Sequence, residues 1–182
     1  MKRVWPLLLV LAMGCGSTAW FPIEVGWHHD YVVQNGMATY VEGIEAKAEV
    51  PVSGSRGVEL SGPLGISRIA WKGSRLMASM LGGSRIVPPI PILISSAPEN
   101  AINGKSTLET NGARVEVSYT LTHGREKIKV AAREVETIRT TLVLQTATQT
   151  TEVVSHYASG IGLVRQNQHT DGRFDLSIDL LN

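Results

Sequence analysis

The stretch Asn111-Gly112-Ala113-Arg114-Val115-Glu116-Val117-Ser118-Tyr119-Thr120-Leu121-Thr122-His123-Gly124 decides how this chain folds. Val115, Val117, Tyr119 and Leu121 fall on one face of an extended segment, and Arg114, Glu116, Ser118 and Thr120 on the other. Successive side chains of a strand point to opposite sides of the sheet, so this alternation marks a strand with one buried face and one wet face. Asn111-Gly112 and His123-Gly124 bracket the run and read as turns.

Working outward, the same period of two recurs. In the last segment Phe174, Leu176, Ile178 and Leu180 alternate with Asp175, Ser177 and Asp179, after a hairpin turn at Asp171-Gly172. Ile44, Ala46, Ala48 and Val50 alternate with Glu45, Lys47 and Glu49. Further strands are expected over residues 30–33, 37–41 (after Asn35-Gly36), 58–60, 66–72, 75–81, 127–131, 134–146, 148–158 and 162–168. Pro88-Pro89-Ile90-Pro91 lacks the amide donors an inner strand needs and reads as an extended crossing. One short helix is expected near 97–100. The fold class is therefore all-β and mainly antiparallel, with about eight to eleven strands in a curved open sheet, half-barrel or sandwich, because sheets of that size curl or split.

The first residues read differently. Lys2 and Arg3 precede an apolar run, Val4 to Met13, that is shorter than the ~20 residues a membrane-spanning helix needs. It ends in Leu11-Ala12-Met13-Gly14-Cys15, which resembles the lipobox of bacterial lipoprotein signals. That resemblance implies cleavage before Cys15 and acylation of its thiol, so that the acyl chains attach the protein to a membrane. Residues 1–14 are the expected signal peptide, 15–19 the lipidated N-terminus and tether, and 20–182 a single antiparallel β domain. An ordinary secretory signal cut nearby, for instance after Ala19, is the alternative. Gly16 after the cysteine, by resemblance to enterobacterial lipoproteins, points to the periplasmic face of the outer membrane. Cys15 is the only cysteine, so the fold rests on packing with no internal disulfide.

Charge is balanced, with 17 basic and 16 acidic residues. Nucleic acid, which selects a basic surface, is not an expected partner. Gly104-Lys105-Ser106-Thr107 ends like a phosphate loop, but Glu99 stands where the first glycine belongs. Ser55, in Gly54-Ser55-Arg56-Gly57, lacks the spacing of a nucleophile elbow. His28 and His29 are adjacent and point to opposite faces of a strand, while His123, His156 and His169 are scattered. Glu134 and Glu136 share a face beside Arg133 and Arg139 and read as a solvated charged surface. No catalytic residue, metal site or cofactor is expected.

Phe21-Pro22-Ile23 with Gly26, Trp27 and Tyr31, the prolines of 88–91 leading to Gly104-Lys105-Ser106, and Tyr157-Ala158-Ser159-Gly160-Ile161-Gly162-Leu163-Val164 occur in order. Together they resemble uncharacterised bacterial envelope domains with a curved antiparallel sheet, similar in outline to the lipoprotein carriers LolA and LolB. The resemblance brings no catalytic residues. It implies either a carrier or binding domain, with an apolar ligand or a hydrophobic partner segment on a concave face, or an envelope structural protein in which the same face is core. The residues expected on that face are Val115, Val117, Tyr119, Leu163 and Phe174.

Overall fold

The computed structural model describes residues 20–96 and 101–181. The expected signal peptide, Cys15, the tether and the short helix at 97–100 lie outside the described residues. Twelve strands follow in order: β1 (His28–Asn35), β2 (Ala38–Val52), β3 (Ser55–Gly62), β4 (Gly65–Lys72), β5 (Arg75–Leu81), β6 (Ser84–Ile94), β7 (Ile102–Thr110), β8 (Ala113–Val130), β9 (Arg133–Gln145), β10 (Thr150–Ala158), β11 (Gly162–Thr170) and β12 (Arg173–Leu180). Each pairs antiparallel with its neighbours in sequence, and β1 pairs with β12, so the sheet closes into a barrel.

The expectation of an open curved sheet, half-barrel or sandwich is thereby overturned. The closing ladder sets Tyr31 against Leu180 and Val33 against Ile178. Alternation in each strand is the same whether or not the first and last strands meet, so closure has no local signature. His123-Gly124, expected as a turn, lies inside the long strand β8, where His123 faces Thr140 and Gly124 faces Arg139. The segments at 37–41 and 44–52 are one strand, β2, with a bulge between Ala46 and Ala48. Residues 102–110, which carry the phosphate-loop look-alike, form β7.

The prolines of 88–91 lie within β6 and not in a free crossing. Their chemistry still shapes the barrel. On the β7 side the ladder has Arg85 against Glu109, Ile86 against Leu108 and Val87 against Thr107, and ends there. Pro88 has no amide proton to continue it, and its carbonyl instead accepts a hydrogen bond from Ser106 Oγ at 2.6 Å.

Two hairpin tips have the chemistry their turns demand. Asn111 and Gly112 have φ of 50° and 82°, and Asp171 and Gly172 have 50° and 75°. The β8–β9 tip has the same left-handed geometry on alanines, with Ala131 at 42° and Ala132 at 70°.

Inward side chains form one main core that includes Tyr31, Val33, Ile69, Leu76, Ile90, Leu121, Ile138 and Ile178. The outer face carries cross-strand ion pairs: Arg68–Glu59 at 2.8 Å, Arg85–Glu109 at 3.3 Å and Arg139–Glu126 at 3.7 Å. A barrel that spans a membrane needs an apolar outer band, so the polarity here is reversed. No helix among the described residues is long and apolar enough to cross a membrane.

Candidate functional site: the barrel interior

A barrel of eight strands is just filled by its side chains, and diameter grows with strand number. This twelve-stranded barrel keeps open space inside. One end is shut by the segment before β1. Phe21 sits there at 4% exposure, 5.0 Å from the ring of Trp27 and 5.9 Å from that of Tyr157, centre to centre. Trp71 Nε1 donates to the Phe21 carbonyl at 3.1 Å, and Trp27 Nε1 donates to the Ile161 carbonyl at 3.2 Å. Gly162, at φ 101°, admits the two aromatic rings so closely that a Cβ there would lie 3.2 Å from each. Tyr31 Oη donates to the Leu163 carbonyl at 2.8 Å, which pins the same end of β11.

Above this floor lie two chambers that share part of their wall. The lower, of about 90 Å³, is walled by Phe21, Trp27, Ile44, Leu60, Leu163 and Ile178, among others. The upper, of about 370 Å³, reaches the β5–β6 turn at Gly82 and is walled by Ile86, Leu108, Leu142, Leu144 and Val153. Leu64, Ser67, Leu81, Ile92, Tyr157 and Gln166 belong to both. The upper chamber adds Thr140, Thr151, Ser155 and Gln168 to the polar groups of the wall.

Among the described residues, no charged side chain lines either chamber. Burial pushes the Tyr157 phenol up to about 12, so it stays neutral across the physiological range. Ser155 Oγ donates to Gln166 Oε1 at 3.3 Å, leaving the amide NH₂ of Gln166 to act as a donor. The space thus offers apolar contact at its floor and neutral hydrogen-bonding groups higher up.

The structure places the five residues expected on the ligand face at different sites. Leu163 lines the lower chamber. Val115 and Phe174 are exposed, Phe174 edge-on to His169 with ring centres 5.8 Å apart. Val117 is buried beside a surface groove bordered by Val87, Pro88 and Lys105. Tyr119 packs over Gly104, its partner on β7, so closely that a Cβ there would lie 2.5 Å from the phenol oxygen.

Leu142, Leu144, Val153 and Tyr157 were not foreseen as wall residues. Their signal was the spacing Ile138, Thr140, Leu142, Leu144 on β9 and Thr151, Val153, Ser155, Tyr157 on β10. It was masked because the outer residues Val154, His156 and Ala158 of β10 are buried too. Ala158 joins Ile128 and Val164 in a small second cluster.

His156 is the buried titratable group of that outer face. Its Nε2 lies 3.4 Å from Glu126 Oε2, and Nδ1 has no partner among the described residues. Burial holds its pKa below the ordinary value; the Glu126 carboxylate opposes this, and Arg165 and Arg139 add to it. Among the described residues no group of histidine, cysteine and carboxylate side chains is placed to hold a metal ion.

No protein-family model matches the chain. A comparison with curated proteins found no match either. Two crystal structures are similar to it in fold. One is of a protein from Parabacteroides distasonis, provisionally described as a lipoprotein, with a TM-score of 0.53 and 12% identity, covering 88% of this chain and 96% of that one. The other is of a protein from Bacteroides fragilis, provisionally described as exported and as having a YmcC-like fold, with a TM-score of 0.51 and 13% identity over the same shares. These likenesses are to envelope-type β folds of that kind and not specifically to LolA or LolB. At such identities the shared property is the fold.

Proposed function

We propose that this chain is an exported, non-catalytic binding protein of the bacterial envelope, attached to the outer membrane through acyl groups on Cys15, whose barrel holds an apolar ligand. The observation that carries this reading is the charge-free chamber of about 370 Å³ over an aromatic floor, within a barrel whose charges are on the outside. Its volume lies at the lower end of the usual range for small-ligand sites. A structural protein has no need of unfilled space in its core, where close packing is the rule. The lipobox at residues 11–15 and the exported or lipoprotein descriptions of the two fold neighbours support the location.

The anchor and the mouth are at opposite ends in this reading. The described chain starts at Trp20 on the floor side, and residues 16–19 span at most about 14 Å. The barrel is then tethered by its closed end, with its mouth facing away from the anchoring membrane.

The test is a titration of delipidated protein with a fluorescent acyl probe, together with native mass spectrometry of freshly purified protein for co-purified lipid. Saturable binding, abolished by Leu144→Trp in a variant with an unchanged circular-dichroism spectrum, is expected. Absence of binding, or binding untouched by that substitution, would refute the interior as the site. Cys15→Ala should move the protein from the membrane fraction to the soluble fraction, and retention in the membrane would remove the anchor assignment.

A further inference from the structure

Resting on the reading of the barrel as a binding site, we infer that its ligand is an amphiphile with an uncharged, hydrogen-bonding head, held head-up, and that the site selects against ionised heads. The two chambers differ in polarity. Below, Phe21, Trp27, Ile44 and Leu163 present only carbon and an indole already bonded to the Ile161 carbonyl, and the polar groups there, Ser67, Tyr157 and Gln166, are shared with the upper chamber. Above, Thr140, Thr151, Ser155, Gln166 and Gln168 ring the space with hydroxyl and amide groups.

Two of these groups are deep inside the barrel, Thr140 at 1% and Ser155 at 4% exposure, while Thr151, Gln166 and Gln168 are half-buried. Hydroxyls and carboxamides each donate and accept, so together they satisfy esters, alcohols and amides. They supply no counter-charge. The nearest charged residues in sequence, such as Arg139 beside Thr140 and Arg165 beside Gln166, point outward and are engaged with Glu126 and Asp179. A carboxylate or phosphate brought into the belt would be desolvated with no cation to meet it.

The inference is tested by calorimetry of the soluble Cys15→Ala protein, delipidated, with three probes of one chain length: monodecanoylglycerol, decanoate and decanoyl-lysophosphatidylglycerol. At pH 8 the glycerol ester should bind at least ~100-fold more tightly than either anion, the loss expected for an unpaired ion in a dry site. The gap to decanoate should narrow as pH falls and the acid becomes neutral. Gln168→Lys, which adds a cation at the upper belt, should narrow it at pH 8. Equal binding of ester and anions by the wild type would overturn the neutral-head inference and leave the barrel site standing. So would a gap that keeps its full size in a Gln168→Lys variant still able to bind the ester. Failure of all three probes would refute the barrel site, and the head preference with it.

Discussion

Replacing Phe21 with alanine removes the keystone of the barrel floor, and its cost can be worked from the contacts. The ring is almost fully buried, tilts against Trp27 at 5.0 Å and meets Tyr157 edge-on at 5.9 Å. Burial loss and the cavity left behind cost about 3–5 kcal/mol for a core Phe→Ala change, and the aromatic pairs place this site in the middle of that range or above. The hydrogen bond from Trp71 goes to the Phe21 carbonyl and survives the substitution. The expected loss is therefore about 4 kcal/mol, which lowers Tm by roughly 8–16 °C for a chain of this size. Phe21→Leu keeps most of the apolar volume and should cost about 1–1.5 kcal/mol. Urea unfolding followed by tryptophan fluorescence, with thermal melts alongside, measures both. A loss below about 1 kcal/mol for Phe21→Ala would show that the segment from Trp20 to Trp27 is peripheral, and the closed-floor account would fail.

At the β8–β9 tip, Ala132 holds a left-handed φ of 70° that glycine adopts freely, so Ala132→Gly should stabilise the protein by about 1 kcal/mol; a loss of stability in the urea midpoint would contradict that turn geometry. Acid should weaken the fold partly through His156. Its native pKa lies below its ordinary 6.5, so between those two values the unfolded chain binds more protons, and stability falls as pH drops through that window and is unaffected by this group above it. His156→Gln should flatten urea midpoints plotted from pH 8 to pH 5, and parallel wild-type and variant plots would argue against the assignment. Hydrogen exchange should find that, within Ile102–Ser106, the amides directed away from β8 are less protected than those bonded to it, because β6 pairs with β7 only over Thr107–Glu109; protection of both sets alike would mean that the ladder continues past Pro88.

What was legible locally came through. Alternation marked the strands around Val117, Ile178 and Ala46, because burial of one face imposes a period of two wherever a strand lies. Asn111-Gly112 and Asp171-Gly172 marked hairpins, because few residues adopt left-handed φ cheaply. His123-Gly124 misled because glycine also occurs within strands, and Gly124 is extended between Thr122 and Arg125 in β8. The prolines of 88–91 read as an extended crossing but lie in β6: Ile90 and Pro91 pair with β5, residues 86–89 have no β5 partner, and the β7 ladder ends at Val87.

The interior site was the least visible. Leu163 was identified as apolar and inward, yet nothing near it in sequence says that Phe21, Leu60 and Ile178 share its chamber. Those residues come from four separate parts of the chain, and the register of strands far apart in sequence is set by packing that no single segment encodes. Sequence by itself determined a β protein whose strands have one wet and one dry face, since that depends on local pattern alone. Only the tertiary structure decided that β1 meets β12, that the dry face curls round a space it does not fill, and that no charged side chain among the described residues lines that space, because each depends on where distant strands end up relative to one another.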